Sequence, residues 1–277
     1  MVNFQIDKQF NKLKIREFLA SFHLSKSKIY NFELHKSALL NHTYKGLDER
    51  LKINDYLSLD FIGFHTKPLI PFEGDIKVIY EDEDILILNK QAFILVHTDG
   101  ITNDTLTNRI AFHYDTNYPI LPVHRIDYET SGLLVFAKHP LAHAYLSRLF
   151  EEREVEKTYL AYVNGVVEKD EGWIKECIGK DRHKNRQRVT KDGQDAQTYY
   201  KVIKRFKNQT LLEVNIIGGR KHQIRVHLAY INHPVINDEI YGVKKNEDQG
   251  LKLHFKHIKF IHPRSRTLFE IDTNQSA

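Results

Sequence analysis

From residue 76 to the end, the chain is a succession of short apolar runs separated by tight polar turns. IKVIY and DILILNK flank the acidic turn EDED, the pattern of an antiparallel hairpin. FILVH, TYLAYVNG, GWIKECI, AQTYYKVIKRF, TLLEVNIIG, FKHIKFIH and TLFEID continue the series. Most of these turns are too short for the crossover of roughly a dozen residues that a parallel pair requires, so most neighbours should be antiparallel. Helical spacing is confined to a few places. TLTNRIAFHY has it, and so does HQIRVHLAYI after a Gly-Gly pair. The clearest case is 140–153, which opens on Pro140 and sets Leu141, Tyr145 and Leu149 on one face. Strands outnumber helices, which predicts an α+β fold on a mixed, mostly antiparallel sheet.

The first 62 residues have a different texture. Residues 12–31 read as helix, with Ser25 or Ser27 able to cap a second short helix, and KSALLNH and YLSLDFI read as strands. The spacing predicts a small N-terminal α+β unit over 1–62. A linker follows over 63–75, GFHTKPLIPFEGD, with two Pro and two Gly, and the main domain spans 76–277. With 277 residues, 41% of them hydrophobic, the chain can bury one large core, or a large domain and a small one.

Composition narrows the chemistry. Cys177 is the one cysteine, which excludes an internal disulfide and a thiolate zinc site. His222 and His227 are five apart, on different sides of a helix, and H-E-x-x-H spacing is absent, so no metal is expected. The start lacks a signal-peptide core, and no run is long and apolar enough to span a bilayer. The expectation is a soluble, reducing-compartment, cytoplasmic monomer with no cofactor and no obligatory protein partner. Net charge is +5, and the pI is near 9.0. The charge concentrates in 178–192, where six Lys or Arg, among them Lys180, Arg182, Arg186 and Arg188, face two Asp. Such a stretch is either a solvated loop or one face of an anion-binding surface.

Three segments carry candidate chemistry. In VHRIDYETSGLLVFAKHP, residues 123–140, Arg125 and Asp127 sit at the mouth of an apolar strand. An Asp near a cation can serve as nucleophile or base, and it can equally be a structural ion pair or an Asx-turn. In GGRKHQIRVHLAYINHP, residues 218–234, two glycines permit close backbone approach beside Arg220, Lys221 and Arg225. In KTYLAYVNG, residues 157–165, Tyr159 is either a core aromatic or a site residue.

These segments resemble one family. VHRIDYETSGLLVFAK is similar to the HRLD-x-x-TSGLL-x-x-AK signature of the RluA-type pseudouridine synthases. GGRKHQIRVHLAYINHPVINDEIYG resembles that family's GRTHQIRVHLA…GHP…GD-x-x-YG block. EKTYLAYVNG and VIYEDEDILILNKQAF resemble its KTYLALV-x-G and VVYEDEDLLVVNKPAG segments. The blocks stand in the family's order over roughly residues 76–272. The N-terminal unit resembles the S-four-like RNA-binding domain that many members carry.

The resemblance implies an isomerase that breaks the glycosidic bond of uridine in ribosomal or transfer RNA, turns the uracil, and rejoins carbon 5 to the ribose. It needs no metal, redox group or nucleotide, which suits a chain without a Walker-type loop or G-x-G-x-x-G. Asp127 matches the essential Asp, Arg225 the Arg that pairs with it, and Tyr159 the Tyr that stacks on the uracil and is a candidate base. Arg125 matches an Arg inserted into the RNA as the uridine is extruded, and extrusion costs a few kcal/mol of stacking. His124, Arg220, Lys221 and the 180–188 cations then read as RNA contacts. The chain departs from the pattern at QAF (91–93) for PAG, VHTDG (96–100) for a VHP-like turn, Lys221 for Thr and Ile126 for Leu. Two other readings use the same residues: a non-catalytic RNA-binding or ribosome-assembly protein, which has no need of Asp127, and a glycoside hydrolase, which usually wants two flanking carboxylates.

Overall fold

A computed structural model describes residues 1–64, 68–114, 119–243 and 250–273. The chain begins with strand β1 (Val2–Gln5), followed by helices α1 (Ile15–Ala20) and α2 (Lys26–Leu34) and strands β2 (Ala38–Leu40) and β3 (Tyr56–Leu59). The sequence shows no signal for β1, because Phe4 is its one buried side chain. Two helices therefore occupy the single helical stretch, and the second starts where Ser25 Oγ accepts from the Lys28 N–H. The Glu17 carboxylate accepts from Lys14 N (2.8 Å) and starts the first. The three strands form one antiparallel sheet in the order β1-β3-β2. Phe4, Phe10, Phe18 and Phe22 fill the space beneath it, with Phe4 edge to face on Phe18 and Phe22, and Phe10 on Phe18.

That aromatic cluster continues into the next layer. Arg264 grips the buried Asp84 through Nε (2.6 Å) and a second nitrogen (3.1 Å), donates to Asn3 O (2.7 Å), and lies over the Phe4 ring at 4.2 Å. Arg266 lies over the rings of Phe22 (4.4 Å) and Tyr145 (3.9 Å) and donates to Ser21 O (3.1 Å). His139 accepts from Ala142 N through Nδ1, so its Nε2 carries the hydrogen that Asp84 receives at 2.7 Å. Residues 70–75 run along a helix described next. Asn108 donates to Ile70 O, Arg109 to Asp75 O, and His113 meets Gly74 O. Residues 65–67 of the expected linker lie outside the described residues.

The main sheet opens with β4 (Val78–Glu81) and β5 (Ile85–Lys90), turned by the EDED segment. After α3 (Leu106–His113) come β6 (Leu121–Pro122), β7 (Ser131–Ala137), α4 (Pro140–Glu152), β8 (Glu156–Asn164) and β9 (Glu171–Ile174). The rest of the chain is β10 (Ile178–Lys180), β11 (Gln187–Val189), β12 (Gln197–Arg205), β13 (Gln209–Ile217), α5 (Gln223–Tyr230), β14 (Leu253–Ile261) and β15 (Leu268–Asp272). Ten strands form the sheet in the order β4-β5-β7-β14-β8-β13-β12-β9, with β15 on β14 and β6 on β7. Among the described residues, only β7 and β14 of this sheet pair in parallel. The fold is α+β on a mixed, mostly antiparallel sheet, as predicted.

LLVFA reads as a continuous apolar run because both of its faces are covered. Leu134 and Phe136 pack with Leu86, Leu88, Leu106 and Ile110, the last two from α3. Leu133 and Val135 pack with Ile85, Ile87 and the α4 residues Leu141 and Leu146. FILVH is no strand. It contributes one bridge, Leu95 with Thr105, and Phe93 turns through φ 67°, giving its N–H to Tyr128 O (2.8 Å). GWIKECI is broken after Ile174, and its last residue, Ile178, opens β10.

Gly132 sits where β7 meets β14 in parallel. A Cβ there would lie 2.3 Å from Phe255 O and 2.5 Å from Phe255 N, and φ is 117°. Gly132→Ala is therefore expected to destabilise by about 3 kcal/mol. Thermal unfolding checks this, and an unchanged Tm would show that the two strands part at little cost.

Candidate active site

Asp127 lies in the loop between β6 and β7, on a turn closed by Thr130 N donating to Asp127 O (3.1 Å). Its side chain is 29% exposed, so a substrate can reach it. Arg225 comes from α5 and is 1% exposed. It fixes itself first on Asp238, through Nε (2.7 Å) and one terminal nitrogen (2.8 Å), a fork-on-carboxylate pair. Its other terminal nitrogen donates to Asp127 Oδ2 (3.1 Å), and Glu129 lies 3.2 Å from the first. Burial works against the guanidinium charge, but Asp238 and then Asp127 outweigh it and push its pKa up. Burial raises the Glu129 carboxyl pKa, against the pull of Arg225.

Asp238 is itself fully buried and takes the N–H groups of Ile240 and Tyr241 (3.0 Å each). Lys90, buried at the end of β5, approaches the loop from below. Its Nζ donates to Tyr128 O (3.0 Å) and Gln91 O (2.9 Å). Burial lowers its pKa to about 8, against the attraction of Asp127. His222 takes the left-handed conformation ahead of α5 (φ 58°). Its Nδ1 is 3.0 Å from the Tyr241 hydroxyl and its Nε2 is 3.8 Å from Asp127 Oδ2. Burial lowers the His222 pKa, against the pull of Asp127.

Tyr159, on β8, stands opposite Phe255 of β14, and the rings stack at 4.4 Å with 14° between planes. Arg125, Asp127, Thr130, Tyr159, Gly219, Arg220, His222 and Arg225 line one cleft. Burial, and behind it Asp127, push the Tyr159 hydroxyl pKa up, so the phenol is protonated at neutral pH. That direction suits a stacking surface and works against a phenolate base. Thr130 Oγ1, buried in this wall, has no hydrogen-bond partner among the described residues. Gln223 is buried and closes the Gly-Gly segment. Its Oε1 accepts from Arg220 N (3.0 Å) while Nε2 donates to Gln197 O (2.9 Å).

The sequence model of the RNA pseudouridylate synthase family matches residues 84–230. The chain belongs to this family. It is an isomerase acting on uridine in RNA. An uncharacterized RNA pseudouridine synthase of Bacillus subtilis, YhcT, is 37% identical over 247 residues, covering 86% of this chain and 82% of that protein. The ribosomal large subunit pseudouridine synthase D of Blochmanniella floridana is 30% identical over 266 residues, covering 86% and 83%. Among solved structures, human RNA pseudouridylate synthase domain containing 1 is similar in fold. The TM-score is 0.63 at 24% identity, covering 73% of this chain and 84% of that one.

Within this pseudouridine synthase, the expected site residues separate into groups. Asp127, Arg225, Tyr159, Arg125 and Arg220 share the cleft. Arg125 is exposed and pairs with no carboxylate among the described residues. Lys221 is exposed at the approach to α5, and that helix has no side-chain cap. Lys180, Arg182, Arg186 and Arg188 lie on a hairpin, β10–β11, hidden within the charged stretch. Ile178 and Val189 pack it against Val226 of α5 and Tyr241, and Gln187 N donates to the Tyr241 hydroxyl (2.9 Å). The basic hairpin thus adjoins the cleft wall. Lys180, Arg182 and Arg188 are exposed, whereas Arg186 is tied to Asp181 (3.2 Å) and Ile240 O (3.4 Å).

His124 is held in the fold. Its Nε2 accepts from Val135 N (3.1 Å), and its ring stacks on Phe150 at 4.7 Å. The two histidines of the 218–234 segment diverge, since His227 meets Thr198 Oγ1 (2.9 Å) and Glu176 O (3.0 Å). Asp238, Glu129 and Lys90 were not singled out in the sequence. Asp238 stood inside the quoted INDEIYG block, and Lys90 was legible as a charge ending an apolar strand.

Two half-buried rings give the protein an acid limit. Burial, with Lys157 behind it, lowers the His124 pKa to about 3, and burial, with Lys77 behind it, lowers His254 to about 4. Unfolded histidine titrates near 6.5. The unfolded chain therefore binds more protons below that pH, and stability falls as pH drops from about 6.5 toward 4. Thermal unfolding across this range should show the fall beginning above the carboxylate range, and His254→Asn should remove part of the slope. A Tm flat down to pH 4.5 would refute it.

Proposed function

We propose that the protein converts specific uridines of ribosomal or transfer RNA to pseudouridine, with Asp127 as its essential carboxylate. The observation that carries this reading is the half-buried Asp127 carboxylate held by a buried, doubly anchored Arg225 in a cleft walled by Tyr159. The uridine leaves its stack, because the base cannot turn inside one. Arg125, exposed at the cleft mouth and paired with no carboxylate among the described residues, fills the space it vacates. The uracil lies against Tyr159, whose ring is fixed by Phe255. Asp127 acts on the ribose or the base as nucleophile or base. The bond from N1 to C1′ breaks, the bond from C5 to C1′ forms, the C5 proton passes to solvent and N1 takes a proton up, so the product is an isomer. Preorganisation does much of the work, since Arg225, Lys90 and His222 fix the loop before substrate arrives. The relative named for the ribosomal large subunit supports ribosomal RNA.

The protein works as a cytoplasmic monomer, and its N-terminal unit over 1–62 is an S-four-like RNA-binding domain. Among the described residues, no helix is long and apolar enough to cross a membrane. Lys180, Arg182, Arg188, Arg220 and Lys221 contact backbone phosphates, with Arg186 and His124 supporting that surface from within. Tritium release from RNA labelled at uridine carbon 5, taken from cells lacking the protein, tests the activity. Release followed by chemical mapping of pseudouridine supports the reading and locates the RNA. Binding without release from naked RNA or ribosomal particles would sink it in favour of a non-catalytic RNA-binding protein.

A further inference from the structure

Beside the catalytic cleft lies a second cavity. It shares Arg125, Tyr159, Ile216, Gly219 and Arg220 with the cleft, so the two spaces adjoin. Arg153, Lys157 and Gly218 complete its polar wall, and among the described residues that line it Glu151 is the one carboxylate. Four cations thus face one anion.

Lys157 is the unusual member. It is 6% exposed. Its Nζ donates to Gly218 O (2.5 Å) and lies 5.7 Å from the centre of the Phe150 ring. Among the described residues the Gly218 carbonyl is its one hydrogen-bond partner, and no carboxylate pairs with it. An ammonium has three donors, and a buried charge without a counter-charge is costly to keep. Burial, with Arg153 behind it, lowers its pKa to about 8. Arg153 closes α4 in the left-handed conformation (φ 64°), also without an ion pair among the described residues. The cavity offers positive charge and unused donors to an anion.

We propose that this cavity is a phosphate subsite, in which Lys157 and Arg153 hold the backbone phosphodiester of the nucleotide adjoining the extruded uridine. The inference rests on the reading that the Asp127 cleft takes the uridine. Tyr159 and Arg125 line both spaces, so a strand whose base lies in one can run its backbone through the other. The Gly218–Gly219 segment presents no side chain between them. A phosphodiester, with its single charge and paired free oxygens, matches an ammonium and a guanidinium aimed at one space.

The test uses the full chain and Lys157→Gln, Arg153→Gln and Arg153→Lys, with labelled total RNA from cells lacking the protein. Tritium release gives kcat and KM, and filter binding gives the dependence of affinity on salt. For both Gln variants KM should rise on the order of tenfold, the loss of one charge-assisted hydrogen bond, with kcat changed far less. The slope of log affinity against log salt should become shallower by about 0.7 to 0.9 per lost contact. Arg153→Lys should restore most of the slope. A purely structural Lys157 would lower Tm and leave the slope unchanged. An unchanged slope in both Gln variants overturns the proposal whether or not they unfold more easily. If the wild type itself releases no tritium, the catalytic reading fails, and the salt slope alone still decides the subsite.

Discussion

Asp127→Asn leaves a folded protein whose tritium release falls by about 10⁴-fold, the scale of a lost nucleophile or general base. The fold should hardly notice. The Asp127 side chain is 29% exposed and is one of three carboxylates around Arg225. With it gone, Arg225 keeps both bonds to Asp238, and the amide still offers an oxygen at the same place. Tm should stay within a few degrees and RNA binding within a few-fold. A variant that kept a tenth of the activity would make Asp127 an anchor for the loop, and the reacting group would have to be sought elsewhere in the cleft.

Arg225→Met should be the more damaging change. Asp238 is fully buried, and without the guanidinium its carboxylate keeps two backbone N–H groups among the described residues. Breaking a buried pair from one side costs about 3–5 kcal/mol. For a chain of this size that is a fall in Tm on the order of 10 °C. Activity should be lost as well, because Asp127 loses its clamp. Adding Asp238→Leu separates the two effects. Replacing both charges with apolar side chains is often close to neutral, so the double variant should recover much of the Tm. It should remain inactive. Recovered activity in the double variant would show that Arg225 serves the fold alone.

The sheet was readable because its strands follow the simple rule of one or two covered faces. EDED announces the β4–β5 hairpin, and LLVFA is apolar throughout because α3 and α4 cover both sides. The rule failed where covering and composition part. FILVH is apolar, yet Phe93 turns left-handed and gives its N–H to the Asp127 loop instead of a strand. The β10–β11 hairpin hides in a charged stretch, since only Ile178 and Val189 turn toward the interior.

The site was less legible from residues alone. Arg225 and Asp127 are 98 positions apart, and no spacing rule joins them. Resemblance suggested that pair, and the structure brings the two side chains together. The resembling blocks contain Asp238, Lys90 and Tyr241 but assign them no role: Asp238 supports Arg225, Lys90 holds the loop from beneath, and the Tyr241 hydroxyl joins His222 to the basic hairpin. Such partners are chosen by proximity in three dimensions. QAF in place of PAG had marked the turn after Lys90 as different. It puts Phe93 in a conformation that favours Gly, and the ring is compensated by an edge contact with Tyr128 at 5.7 Å.

The joint between the N-terminal sheet and the main sheet has a geometric consequence. Arg264 bonds both layers through Asp84 and Asn3 O, Arg266 bonds Ser21 O, both lie over aromatic rings, and residues 70–75 are stitched along α3. Two units on a loose tether explore many separations and tolerate partners of many sizes. Here the offset from the N-terminal surface to Asp127 is set by packed rings and buried charge. Any RNA that touches both must bring its own two features at that spacing. On the proposed reading, in which the N-terminal unit binds RNA, the molecule is a caliper, and a change in the joint is expected to shift which RNAs fit while leaving the proposed chemistry at Asp127 as it was.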